Sequence, residues 1–373
     1  MRVGIITIHK IYNYGSALQA YALQNFIQNS FNVECEIINY KFPNKFHIKN
    51  RNYSLSEKFR RIIHQIRMKC QPKNWIKERK FKYFFQKYLI LSAREYKNQE
   101  EIKSSSFDYD LFITGSDQVW NTTTLVGDDV YMLSFVDDKI PKISYASSFG
   151  ISRINEKYLI SFAKLLMRYK AISVRESTGQ KILTHIDNRL NSEVVCDPTL
   201  LLTKDDYSKI AIQSDLSINF PFILVYYLNY AFDPTPGILN SINVVYKKLK
   251  YKVIFINNFV KGFTGNYEII KGMGPLDFLY LFKNASFVIT SSFHGTAFSI
   301  INRKPFVSIA PRNKDSRIGD FLHGIGLNNN LVYSDDNNPA ILLNEIYNDE
   351  FEENFDKFIR SSKEFLYDNI KSL

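Results

Sequence analysis

The side chains of this chain best suited to moving protons and holding anions are His294, Asp117 and Arg175. His294 stands in Ser291-Ser292-Phe293-His294-Gly295-Thr296, directly after the buried-strand pattern Phe287-Val288-Ile289-Thr290. An imidazole changes charge near neutral pH, so it can give or take a proton there. Asp117 lies in Gly115-Ser116-Asp117-Gln118-Val119-Trp120-Asn121, where a carboxylate follows a strand and is placed for general acid or base work. Its bland alternative is a turn cap. Ser116, Gln118, Trp120 and Asn121 add ligand-contact side chains within a few positions. Arg175, in Ser173-Val174-Arg175-Glu176-Ser177, offers a fork for a carboxylate or phosphate, or else a structural partner for Glu176 or Asp197.

These residues need elements to hold them, and the apolar periodicity supplies an α/β rhythm. Arg2–Ile8 reads as a strand, His9–Gly15 as a loop, and a helix follows with Leu18, Ala22 and Phe26 on its apolar face and Ser16 as N-cap. Asn13, Tyr14, Gly15 and Ser16 then line the carboxyl end of the first strand. A lone glycine there is no dinucleotide fingerprint, so no such cofactor is expected. Further strands are expected at Glu34–Tyr40, Asp110–Thr114, Lys142–Ser147, Ala171–Val174 and Glu193–Cys196. Ser147 and Ser148 close one of them and join the substrate-binding set. A helix is expected at Ile154–Tyr169, and Lys204–Phe220 reads as a passage between halves.

The second half repeats the rhythm with strands at Phe222–Leu228, Lys252–Asn257, Phe287–Thr290 and Phe306–Ala310. Its helices are expected at Gly237–Leu249, Pro275–Lys283, Thr296–Ile301 and Asp315–Gly324. The fold class is therefore α/β, with two doubly wound Rossmann-like domains facing across a cleft. The divisions are 1–203, with a basic helical insertion at about 41–106, then 204–335, then a helical segment 336–373 that packs back on the body. The turn Ser291–Thr296 is a strand-to-helix junction, where N–H groups and the helix dipole favour an anion.

Charge is unevenly spread. Between Lys41 and Lys97 there are 17 Lys/Arg against three acids, whereas the remainder holds 31 against 34. The insertion reads as two amphipathic helices, one with Leu55, Phe59, Ile62, Ile66 and Cys70 on its apolar face, the other over Asn74–Leu91. Such a pair suits either an anionic membrane surface or plain packing as a solvated insertion, and nucleic acid is not expected because no binding motif accompanies it. Three cysteines without ligand spacing argue against a disulfide framework or a metal site. With no apolar run of membrane-spanning length and no leader pattern, the expected compartment is the cytoplasm, with peripheral contact at the inner face of the cell membrane.

Taken in order, Asn13-Tyr14-Gly15-Ser16 with Leu18-Gln19-Ala20-Tyr21-Ala22-Leu23, the Gly115–Asn121 stretch, Ser173–Ser177, Asp197-Pro198-Thr199 and Ser291–Gly295 resemble the polysaccharide pyruvyltransferase family, over about Asn13 to Gly326. That resemblance implies a GT-B-like fold and transfer of pyruvate from phosphoenolpyruvate to two hydroxyls of a sugar in a cell-surface polysaccharide precursor. The product is a pyruvate ketal with free phosphate. It implies no metal or redox cofactor, a sugar acceptor that is polyprenyl-linked, nucleotide-linked or free, His294 and Asp117 as the two proton-transfer groups in either order, and Arg175 as the donor's cation. Many members carry an arginine where this chain has Ser292, and Arg317, Lys304 and Arg303 are the cations available to replace it. The competing readings are a sugar-nucleotide glycosyltransferase on the same fold and a non-catalytic carbohydrate-binding relative.

Overall fold

Short apolar runs bounded by polar turns form two six-stranded sheets, every strand pair in them parallel. The computed structural model describes the chain except residues 42–71, 126–127, 230–231, 313–316, 344–345 and 373. The expected first helix of the basic insertion, Leu55 to Cys70, lies outside the described residues, as does the expected helix start at Asp315.

The first compact unit comprises Met1–Val194, Gly272–Pro275 and Leu366–Leu373. Its elements are β1 (Arg2–Ile6), α1 (Tyr14–Phe31), β2 (Glu34–Ile37), α2 (Pro72–Tyr88), α3 (Gln99–Lys103), β3 (Leu111–Asp117), β4 (Lys142–Ser147), α4 (Leu159–Leu166), β5 (Ala171–Val174), α5 (Ser177–Ile186) and β6 (Glu193–Val194). The sheet order is β2-β1-β3-β4-β5-β6. From β1 the chain moves outward to β2 and then returns to β3 on the other side of β1. The carboxyl ends of β1 and β3 therefore flank a switch point, the place where doubly wound sheets bind ligands. Ile6, Ile8, Phe112, Trp120, Phe149 and Val174 belong to one core cluster.

The helix after β1 starts earlier than the cap residues suggested. Asn13, not Ser16, is its N-cap, accepting from the N–H groups of Gly15 (2.9 Å) and Ser16 (3.3 Å). α2 ends at Tyr88, and Leu91 then pairs with Ile37, the last residue of β2. It buries Phe81, Phe84 and Phe85 and leaves Trp75, Ile76 and Tyr83 exposed. The expected helix over Ile154–Tyr169 is a single 3-10 turn, Glu156–Tyr158, followed by the short α4.

The second unit comprises Val195–Lys271 and Leu276–Phe365. It contains α6 (Lys204–Ala211), β7 (Phe222–Tyr226), α7 (Thr235–Leu249), β8 (Lys252–Ile256), β9 (Tyr267–Ile270), β10 (Phe287–Thr290), α9 (Phe293–Ile301), β11 (Phe306–Ala310), α10 (Arg317–Gly324), β12 (Leu331–Tyr333), all but the first residue of α8 (Pro275–Asn284) and most of α11 (Asp349–Lys371). Strand order is β12-β11-β10-β7-β8-β9, so the direction of winding reverses between β7 and β10. Its core gathers Ile223, Val225, Ile242, Val253, Phe287, Ile289 and Val307.

The division falls between Val194 and Val195, ahead of the expected boundary after position 203. The cause is local. Cys196 donates its N–H to Ser362 Oγ at 2.8 Å, and the rings of Tyr207 and Phe298 meet at 5.0 Å, so the chain from Val195 onward is built into the second sheet's layer. The expected passage Lys204–Phe220 contains α6, held by a capping box between Thr203 and Asp206.

Candidate active site

In the first unit the switch point is occupied by a carboxylate on strained backbone. Asp117 is the last residue of β3 and has φ 68°, a left-handed conformation that few side chains adopt readily and Asp among the best of them. Its carboxylate accepts from the Gln118 N–H at 2.9 Å and from the hydroxyl of Ser16. Because Asn13 caps α1, the Ser16 hydroxyl is available for that bond. Arg175 brings a guanidinium nitrogen to 4.0 Å from Asp117 Oδ1 and its Nε to 3.6 Å from Glu176 Oε2. Glu176 in turn accepts from Ser148 Oγ at 2.6 Å, and Ser148 accepts from the Gly150 N–H at 3.1 Å. The result is a linked set, Ser16–Asp117–Arg175–Glu176–Ser148, drawn from α1 and from the ends of β3, β4 and β5.

Exposure sorts this set by role. The Asp117 side chain is 14% exposed and that of Arg175 only 1%. The Arg175 guanidinium thus lies buried beside the carboxylates of Asp117 and Glu176, the second of which the sequence offers as its structural partner. Gln118 is partly exposed beside Asp117, and its Oε1 accepts from Asn121 Nδ2 at 2.8 Å. Asn121 Oδ1 also accepts from Thr123 N–H and Oγ1, which makes it a turn builder. Trp120 is 1% exposed, donates Nε1–H to Tyr131 O at 3.3 Å and packs on Phe149; it is a core residue with no face for a ligand. Ser147 donates inward to Thr114 O at 3.2 Å, and Ser116 is fully buried. Tyr14 packs its ring on Phe81 at 5.4 Å, and Gly15 is buried at the start of α1.

In the second unit the junction β10–α9 has the geometry its sequence implies. Thr290 is the last strand residue and Ser292 the N-cap of α9, accepting from the Gly295 N–H at 3.4 Å. The first turn of α9 with its dipole favours an anion beside Ser292 and His294. Gly295 is required by close packing, because a Cβ there would run into Thr290 Oγ1 and stand 3.0 Å from Thr290 Cβ. Ser291 accepts from Leu228 N–H and donates to Leu228 O, both at 3.0 Å, fastening the turn to the chain after β7. Thr296 is buried and shares a hydrogen bond of 2.6 Å with Ser308 of β11.

His294 is the partly exposed member of this junction. Its side chain is 13% exposed, yet Nε2 is enclosed and makes no hydrogen bond, standing 3.6 Å from Asp197 Oδ2. Asp197 is wholly buried, and its other oxygen accepts from Thr199 N–H (3.0 Å) and Thr199 Oγ1 (2.8 Å). Of the cations offered in place of an arginine at Ser292, Arg303 is committed to Glu352 at 2.6 Å and lies over the rings of Tyr347, Phe351 and Phe355. Burial lowers the Lys304 pKa, with Lys204 adding to the effect. Arg317 opens α10 and is partly exposed.

The sequence points to both partly exposed proton-transfer candidates, and offers Glu176 and Asp197 as structural partners for Arg175. What it does not show is that Asp197 stands beside His294. His9, at the carboxyl end of β1, was read as loop; it is a buried imidazole whose burial pushes its pKa down to about 4.

The model of the family described as polysaccharide pyruvyl transferase matches residues 13–313. Comparison with curated proteins gives no match. Among solved structures, Anabaena HepE in complex with UDP and glucose is 12% identical with a TM-score of 0.54, covering 100% of both chains. UDP-GlcNAc 2-epimerase from Neisseria meningitidis, bound to UDP-GlcNAc, is 11% identical with a TM-score of 0.51, again over 100% of each chain. At such identities the likeness shows the fold, two Rossmann-like domains of the GT-B-like class.

Proposed function

The chain belongs to the polysaccharide pyruvyl transferase family, and from that premise we propose that it transfers pyruvate from phosphoenolpyruvate to two hydroxyls of a sugar unit in a cell-surface polysaccharide precursor. The observation that carries this reading is the family match across residues 13–313, which spans both switch-point sites. In the reaction the donor's methylene carbon gains a proton, both hydroxyl oxygens bond to the donor's central carbon, and that carbon's bond to the phosphate oxygen breaks. Of the two hydroxyl protons, one is balanced by the new methyl group and the other leaves on phosphate. Two proton-transfer groups are therefore needed, and the partly exposed His294 and Asp117 are assigned to them. The N-terminus of α9 is assigned to a charged group of the donor, with Arg317, partly exposed at the start of α10, as the cation to replace an arginine at Ser292. Arg175 is assigned to holding Asp117. The chemistry asks for no redox or metal cofactor.

Contact with an anionic membrane is part of the same proposal, since polyprenyl-linked acceptors reside there. Its support is the basic excess of 41–97 and the mixed face of α2, where Trp75, Ile76 and Tyr83 are exposed alongside Arg79, Lys82 and Lys87. Among the described residues no helix is long and apolar enough to cross a membrane.

The test needs no acceptor at first. Thermal stability is titrated with phosphoenolpyruvate beside a panel of sugar nucleotides; a ligand at 100 times its Kd adds about 2.7 kcal/mol of apparent stability. Stabilisation by phosphoenolpyruvate is the expected outcome, followed by phosphate release and a gain in the acceptor's mass equal to pyruvic acid less one water. Stabilisation by a sugar nucleotide alone would replace this reading with a glycosyltransferase. Silence from both would leave the carbohydrate-binding relative.

A further inference from the structure

We propose that Asp197 is the positioning residue of His294, and that the pair directs His294 to take the proton from the sugar hydroxyl through Nδ1. The identity of that hydroxyl rests on the pyruvyl-transfer reading; the pairing itself rests on geometry within the second unit. Three observations carry it.

First, Asp197 is fixed. It is fully buried, and it opens the 3-10 turn Pro198–Leu201 by accepting two hydrogen bonds from Thr199 through Oδ1. Only its Oδ2 faces the imidazole. Second, the ring edge that meets Asp197 is sealed: Nε2 is enclosed, without a hydrogen bond, at 3.6 Å from Oδ2. That separation is an ion-pair distance longer than a hydrogen bond. An ionised carboxylate accepts and cannot donate, so the neutral ring carries its proton on Nε2 and its lone pair on Nδ1. Third, the ring's remaining surface is open to the extent of 13%, and Phe293 meets the ring edge-on with centroids 5.6 Å apart.

Among the described residues, Asp197 is the ion-pair partner of His294; β10 and β11, packed against α9, bring no charged side chain. When the hydroxyl O–H bond breaks and its oxygen joins the donor's central carbon, the proton moves to Nδ1. The imidazolium so formed sits against a carboxylate already in place. The proton then passes to the departing phosphate, which restores the neutral ring.

The experiment uses the full chain without substrate. The imidazole nitrogens are followed by NMR through a pH titration, with His294→Gln assigning the resonance among the six histidines. In the wild type the neutral His294 ring should carry its proton on Nε2. In Asp197→Asn, which keeps an oxygen for Thr199, the neutral ring should lose its preference for the proton on Nε2, because an amide can turn a donor as well as an acceptor toward that nitrogen. If phosphoenolpyruvate turnover is established, kcat of this variant should fall with KM little changed. Asp197→Glu, which keeps an accepting carboxylate but displaces it, should retain part of the Nε2 preference and serves if the Asn variant does not fold. A wild-type neutral ring protonated on Nδ1, or a tautomer balance unmoved by both substitutions, overturns the proposal. Because these readouts need no donor, failure of the pyruvyl-transfer reading would leave them interpretable and would be seen separately.

Discussion

Acidification should destabilise the first unit through His9 by an amount the structure allows to be worked out. The His9 residue is 1% exposed, and its Nδ1 lies 3.0 Å from Thr7 O; a carbonyl only accepts, so Nδ1 carries the proton of the neutral ring. Nε2 is buried and makes no hydrogen bond, so protonating it would place a charge out of reach of water. Burial is the main reason the pKa falls from 6.5 to about 4, with Lys10 lowering it further and the Thr7 carbonyl, Asn39 and Glu95 acting in the opposite direction. The folded pKa is depressed below the unfolded one, so the unfolded chain binds this proton more readily. Stability is full above pH 6.5 and is lost as pH falls through the window toward 4.

At about 1.4 kcal/mol per unit the complete loss is about 3 kcal/mol, of which about 2 kcal/mol falls between pH 7.5 and 5. Urea unfolding at these two pH values, in wild type and His9→Gln, isolates the contribution, because other titrating groups act alike in both chains. The variant's loss between the two pH values should be smaller than wild type's by about 2 kcal/mol. Equal losses in the two proteins would refute the reasoning, as would an NMR midpoint for His9 near 6.5.

Gly295→Ala should destabilise the second unit by about 2 kcal/mol or more in urea unfolding, as overpacking does. The added methyl meets Thr290 Oγ1, which cannot swing aside because it donates to Tyr226 O at 2.6 Å and accepts from the Ser292 N–H at 3.1 Å. A change within about 0.5 kcal/mol would show that the β10–α9 junction yields more easily than this packing implies. Flotation should bring the full chain up with vesicles containing anionic lipid at low salt and not with neutral vesicles, since each Lys or Arg near such a surface contributes roughly 1 kcal/mol. Equal flotation with both, or with neither, would remove the membrane contact from the proposal.

Much of the scaffold was legible because parallel strands buried on both faces leave continuous apolar runs, and β10 is buried at every position. The strands that escaped reading are those without that signature. β9 is Tyr267-Glu268-Ile269-Ile270, an edge strand with its first two residues exposed, and β12 has three residues. The N-cap of α1 was misread because Asn13 and Ser16 both suit a cap, and the choice turns on Asp117, distant in sequence, which claims the Ser16 hydroxyl. Trp120 looked like a contact residue for the same kind of reason: its indole N–H goes to Tyr131 O, a bond that nothing in the local sequence announces. His294 and Asp117 were legible from position alone, at strand ends. That Asp197 lies against His294, and Ser16 against Asp117, required the fold to be known.

The last helix has a consequence for synthesis. Leu366–Leu373 is part of the first compact unit although it follows, in the chain, nearly the whole of the second. Tyr367 packs on Phe31 at 5.0 Å and on Phe26 at 6.4 Å, Lys170 donates to Ser372 Oγ at 2.7 Å, and Leu366 and Ile370 are buried. A nascent chain paused after position 194 holds every strand of the first sheet and still lacks the side chains that cover this part of α1. Vectorial folding on the ribosome can complete the second unit first, and the unit translated earliest reaches its finished form only when the residues from 366 onward have cleared the exit tunnel.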